Sequence, residues 1–205
     1  MNYSSKILEE AIEAFASLPS IGKKSALRMV LHLAQDQNLK KEKIIQALHR
    51  VINDLNVCSV CYSYADTPVC NICSDQSRKN DQICVVESIK DVIAIEETQS
   101  YSGLYHVLGG VISPLEGVGP EDIRVMELVQ RVKDQGPDEL IMALSPTIDG
   151  ETTIFYISKL LEDEAVEIST IARGVAFGGE ISYADEITLG RSISSRQPYS
   201  QKAAF

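Results

Sequence analysis

The sequence predicts an α+β protein of several parts: a small helical unit, a four-cysteine metal loop, an α/β domain with a mainly parallel sheet, and a short C-terminal arm. Three observations carry that reading. Apolar residues recur at helical spacing through three segments of the first 55 residues. Two C-x-x-C pairs follow directly. From Ile83 onward, short apolar runs alternate with helical stretches, as in βα units. A chain of 205 residues suits one to two ordinary domains. Its 44% apolar and 23% charged residues place it with folded globular chains and exclude a disordered tail.

The elements follow in order. Ser4–Ala16 carries Ile7, Leu8, Ala11, Ile12 and Phe15 on one helical stripe, with Ser4 or Ser5 available as the cap. Lys23–Gln35 repeats the pattern with Leu27, Val30, Leu31 and Ala34. Lys40–Leu55 does so with Ile44, Ile45, Leu48, Val51, Ile52 and Leu55. The three are expected to pack as one unit over residues 1–56. The cysteine loop spans 57–76 and the α/β domain 80–175. Strands are expected at Ile83–Glu87, Tyr105–Leu108, Leu140–Leu144 and Val166–Ser169. Helices are expected at Lys90–Glu97, Pro120–Lys133 and Thr152–Glu162. Pro120 followed by Glu121 and Asp122 has the composition of a helix start. Residues 176–205 read as an arm for a subunit contact, with a loose polar tail over 194–202.

Composition narrows the function. No apolar run reaches the roughly 18 residues that a membrane helix needs. Glu9, Glu10 and Glu13 stand where a signal peptide requires an uncharged core. The expectation is a soluble, cytoplasmic protein. The net charge of −10 excludes a protein that coats nucleic acid with its whole surface. The charge is unevenly spread. Residues 1–56 hold 8 basic and 6 acidic side chains, a balance of +2, so the remainder carries −12. A phosphate-binding surface belongs in the first quarter.

Three motifs carry chemistry. Cys58-x-x-Cys61 and Cys70-x-x-Cys73 supply four thiolates from two tight turns, the donor set of a structural Zn²⁺ site. A redox pair would be single and would follow a strand in a βαβ unit. Cys84, in an apolar run, reads as a core residue. The segment Leu18-Pro19-Ser20-Ile21-Gly22-Lys23-Lys24-Ser25-Ala26 joins two helices through a turn. Such a turn offers backbone N–H groups and a positive helix end to a phosphate. Lys23, Lys24 and Arg28 add cations there, which makes this a helix-hairpin-helix pattern for sequence-independent DNA contact. Ser20 stands where the common form has glycine.

The third motif is acidic. Glu87 closes one predicted strand, and Asp149-Gly150-Glu151 follows another. Carboxylates at the carboxyl edge of a parallel sheet can converge on Mg²⁺ and orient a phosphodiester. Three acids at strand ends are also a common accident in so acidic a chain. ATP hydrolysis is not expected, since no G-x-x-x-x-G-K-[ST] loop is present and Asp185-Glu186 lacks that partner. Tyr62 and Tyr64 in the cysteine loop read as packing around the metal site, with base stacking as the alternative. His32, His49 and His106 read as packing or surface residues.

The stretches LPSIGKKSALRM, CSVCYSYADTPVCNIC, ICVVE, YHVLGGVISPLEGVGPEDIR, LIMALSPTIDGETT and IARGVAFGGEISYADEITLGR together resemble the RecR family of bacterial recombination mediator proteins. The resemblance runs from about Leu18 to Arg196. It implies a helix-hairpin-helix unit, a four-cysteine zinc finger, a Toprim-like α/β domain and an arm. It also implies a ring-shaped homotetramer that encircles DNA with the hairpins on its inner side. Such a clamp acts with RecO and RecF to place RecA on gapped single-stranded DNA coated by single-strand binding protein. Carried over by position, Lys24 and Arg28, with Lys23 beside them, match DNA contacts, and Cys58, Cys61, Cys70 and Cys73 match zinc ligands. Glu87, Asp149 and Glu151 match acids that hold partners rather than cut DNA, Asp149 standing where many relatives have glutamate. The resemblance implies no catalysis; the alternative is a Mg²⁺-dependent Toprim-type nuclease.

Overall fold

A computed structural model describes residues 5–35, 40–196 and 198. The chain divides into two compact units, residues 1–55 and 56–205. In the first, α1 spans Lys6–Ala16, α2 Lys23–Gln35 and α3 Lys40–Asn53. The Ser5 hydroxyl caps α1 by accepting from the Leu8 N–H at 3.4 Å. Helices α1 and α2 pack against each other around Ile12, Ala26 and Val30, with Leu8, Phe15 and Leu27 against that cluster. The three helices share one compact unit, as expected, but among the described residues α3 adds no side chain to its core. None of the described side chains of α3 is buried, and its row of Ile44, Ile45, Leu48, Val51 and Ile52 is exposed. Periodicity reports which face of a helix is apolar, not what covers it.

The second unit opens with the cysteine loop. Strand β1 (Asn56–Val57) pairs antiparallel with β2 (Tyr64–Ala65), and the one-turn helix α4 (Asn71–Ser74) follows. Then come β3 (Gln82–Val86), α5 (Ile89–Glu97), β4 (Leu104–Val107), α6 (Val125–Gln135), β5 (Glu139–Ala143), α7 (Ile148–Leu160) and β6 (Glu167–Thr170). The four long strands form one parallel sheet in the order β4-β3-β5-β6. Residues of β3 alternate between its two faces, which is why its whole apolar run is buried. Ile83 and Val85 join Leu128, Val129 and Val132 of α6 and Ile157 of α7. Cys84 and Val86 join Val92 of α5 and, from the cysteine loop, Tyr62 and Ile72. Cys84 is therefore a core residue, its thiol pushed up to about 12 by burial.

From β3 the chain moves outward to β4, then crosses back to β5 on the other side. That reversal puts the topological switch point at the carboxyl ends of β3 and β5. Two helix starts shift by four residues or more from the sequence reading. Pro120 does not start α6; the Asp122 carboxylate accepts from the Gly119 N–H at 2.8 Å, and the Arg124 N–H is tied to the Leu108 carbonyl at 2.8 Å. These bonds hold a turn, and the helix begins at Val125. Helix α7 begins earlier than Thr152, because the Thr147 hydroxyl caps it by accepting from the Gly150 N–H at 3.1 Å.

The arm contains a 3₁₀ turn (Ile181–Tyr183) and a helix, α8 (Glu186–Ser194). Asp185 is the α8 cap, accepting from the Thr188 N–H at 2.9 Å. The tail expected to be loose runs on through 197 and 199–202, outside the described residues.

His106 is fully buried on β4. Its Nε2 donates to the Arg124 carbonyl at 2.9 Å, its ring stands edge-on to Tyr62, and its buried Nδ1 has no hydrogen-bond partner among the described residues. Burial depresses its pKa to about 4. An unfolded histidine titrates near about 6.5. As pH falls from 6.5 to 4 the unfolded chain takes up the proton first, so stability is full above this window and is lost within it. Urea unfolding of the parent should lose about 2–3 kcal/mol more across the window than His106→Gln does. Parallel profiles for the two proteins would refute this role.

Candidate functional site

Four sulfurs meet where the cysteine loop folds on itself. The Cys58 N–H donates to the Ser63 carbonyl at 2.7 Å and the Tyr62 N–H to the Cys58 carbonyl at 3.0 Å, closing the first C-x-x-C turn. Tyr62 takes a left-handed φ of 62° there. The second turn is the α4 start, where the Cys73 N–H donates to the Cys70 sulfur at 3.4 Å. A Cys70 N–H to Cys58 sulfur bond of 3.3 Å ties the two turns together. The four Sγ atoms all lie within 4.8 Å of one another, with Cys61 and Cys70 at 3.5 Å. Tetrahedral Zn²⁺ with bonds of about 2.3 Å needs this spacing. Donation from Cys73 holds the Cys61 thiol down at about 5. The donor set and its geometry fit a structural zinc ion; bound there, it supplies folding energy and no reactive position.

The hairpin turn lies in the first unit. Its shape follows from Ile21 N–H to Leu18 carbonyl and Ala26 N–H to Gly22 carbonyl bonds of 3.2 and 3.0 Å. Ser20, where the sequence departs from the usual glycine, adopts a φ of 63°, the left-handed conformation that glycine favours. The turn thus keeps its shape without glycine. Lys23, Lys24 and Arg28 are all exposed, while Ala26 on the same helix is buried. No acidic residue occupies the first turn of α2, so its positive end is uncompensated by its own sequence.

The acidic residues sit at the carboxyl edge of the sheet. Glu87 follows β3 and spans the switch point, its Oε1 accepting from the Ser145 N–H at 2.6 Å. It shares a cleft with Tyr62, Tyr64 and Arg124, whose guanidinium lies 5.2 Å above the Tyr62 ring. Asp149 and Glu151 lie in the first turn of α7, where negative charge is favoured. Between them Gly150 is pressed against the loop, and a Cβ there would lie 2.1 Å from the Ser145 carbonyl oxygen. The glycine-rich loop between β4 and α6 is pinned to the same helix: the Ile112 N–H donates to the buried Thr153 hydroxyl at 2.9 Å.

Glu151 is ion-paired with Arg173, with Arg191 of α8 4.0 Å away. Sequence reading has no signal for either arginine, since both come from distant segments. Among the described residues, the four cysteines form the only set of three or more ligand side chains close enough to share a metal ion. The structure does not bring Glu87, Asp149 and Glu151 together in that way.

These features define a modular zinc-finger protein built on a Toprim-type parallel sheet, with a helix-hairpin-helix unit ahead of it. Comparison with known proteins agrees part by part. The family models for the RecR helix-hairpin-helix, the RecR four-cysteine zinc finger domain, the Toprim domain and the RecR C-terminal segment match residues 8–52, 55–75, 81–172 and 174–197. "Recombination protein RecR" of Amoebophilus asiaticus is 51% identical over 97% of this chain and 100% of its own. Those of Phocaeicola vulgatus and Porphyromonas gingivalis strain W83 are 50% and 48% identical, over 95% and 99% of this chain and 95% and 98% of theirs. The chain belongs to the RecR family of recombination proteins.

Two outcomes test the site. Cys58→Ala should bind less than one zinc per chain by metal analysis and unfold at lower temperature; full stability without metal would show the loop is not structural. Gly150→Ala should lose about 1–3 kcal/mol in urea unfolding, because the Ser145 carbonyl has to move. A variant as stable as the parent would show that the loop yields freely.

Proposed function

We propose that this chain is a non-enzymatic mediator of recombinational DNA repair, a ring-forming homotetrameric clamp on gapped and duplex DNA. In this reading it acts in the cytoplasm with RecO-like and RecF-like proteins to help load a RecA-type recombinase where single-strand binding protein coats the gap. The observation that carries it is the hairpin turn, where exposed Lys23, Lys24 and Arg28 stand on the one net-positive part of an otherwise acidic chain. A clamp needs positive charge only where DNA passes, and an acidic remainder limits non-specific adhesion. Assembly multiplies one small basic patch into several that face the same duplex.

Two exposed apolar surfaces support assembly. One is the α3 row; the other is the arm, where Phe177, Ile181, Tyr183 and Ile187 are exposed. A closed tetramer built from two-fold contacts needs two different interfaces per subunit, and these two surfaces suit that need. The acids Glu87, Asp149 and Glu151 are read as a partner-holding edge. Pairing of Glu151 with Arg173 supports that reading over a Mg²⁺ site, because the arginine occupies the carboxylate a metal would use.

The test uses zinc-replete protein and a labelled duplex with a single-stranded gap, in Mg²⁺. Retained and uncut DNA, enhanced by a RecO-like protein, is expected. Lys24→Ala/Arg28→Ala should bind more weakly, with a log–log salt slope shallower by about 2; an unchanged slope removes the hairpin from the interface. Mg²⁺-dependent strand cleavage that vanishes in Glu87→Gln would replace the clamp with a nuclease.

A further inference from the structure

The buried arginine of α6 has no carboxylate partner. Arg131 is only 7% exposed, and among the described residues no acidic side chain pairs with it. Its Nη1 donates to the Tyr105 carbonyl at 2.6 Å and its Nε to the Gln135 side chain at 2.9 Å. Its Nη2 is buried and has no hydrogen-bond partner among the described residues. A guanidinium taken out of water without a counter-charge is costly, so the surroundings have to supply a negative field.

The position of Arg131 identifies that field. In a parallel sheet alternate residues of an edge strand direct their peptide groups outward. On β4 these are Tyr105 and Val107. The Tyr105 carbonyl receives Arg131, and the Val107 N–H donates to the Cys61 carbonyl at 2.8 Å. Arg131 and a zinc-ligand residue therefore occupy neighbouring places on one strand edge. Four thiolates around Zn²⁺ carry a net charge of −2. We propose that Arg131 is the fixed counter-cation of the zinc–tetrathiolate, a positioning residue that sets how tightly the metal is held. Burial opposes the charge of Arg131, and the Cys73, Cys61 and Cys58 thiolates favour it.

Full-length parent, Arg131→Met and Arg131→Lys are compared by competition for zinc with a chromogenic chelator. The Met variant should bind zinc at least tenfold more weakly and release it faster, as expected for an outer-shell partner. The Lys variant, which keeps the charge, should retain most of the affinity. Met binding as tight as the parent's would overturn the proposal. Equal losses in Met and Lys would also overturn it, since shape and not charge would then be at work. If the Met variant does not fold, Arg131→Gln makes the same comparison. Failure of the parent itself to bind zinc would instead overturn the metal assignment.

Discussion

Four thiolates within reach of one another repel unless a cation stands among them. The second unit of this protein is arranged around that constraint. Hydrogen bonds close the two turns of the cysteine loop and bring their sulfurs to a common centre, and the closed loop presents Tyr62 and Ile72 to one face of the sheet. Tyr62 in turn meets the buried His106 and lies under Arg124 at the acidic edge. The metal site is remote from any chemistry, yet it fixes one wall of the cleft that holds Glu87.

Charge and apolar surface are distributed with the same economy. The exposed cations Lys23, Lys24 and Arg28 stand on α2, just after a turn in which Ser20 takes the left-handed conformation. The carboxylates stand at the switch point and the first turn of α7, where backbone N–H groups and a helix dipole receive them. Glu151 then gains arginines from beyond the sheet, so the edge combines a carboxylate without an ion pair among the described residues, Asp149, with a neutralised one two residues on.

Legibility in the sequence tracks how local each signal is. The zinc ligands are legible because covalent spacing alone brings C-x-x-C sulfurs together. Strands β3 and β5 are legible because a strand buried on both faces is a continuous apolar run. The start of α6 is misread because Pro120-Glu121-Asp122 serves equally as a helix start or as a turn closed by Asp122, and only the bond to Leu108 decides. Helix α8 hides in a segment that reads as an arm, although Asp185 with Thr188 is a sound cap. Arg173 and Arg191 leave no trace in sequence, since their meaning depends on where Glu151 falls. Arg131 leaves one: it is a cation on a helix whose other neighbours, Leu128, Val129 and Val132, are all core residues.

The outer side of β4 shows what this arrangement means for keeping molecules apart. An unpaired strand edge is a template on which other chains add strands and aggregate. Here the Val107 amide is taken by Cys61 and the Tyr105 carbonyl by Arg131. The cysteine loop and one buried side chain blunt that edge, so stray chains find no ready ladder there.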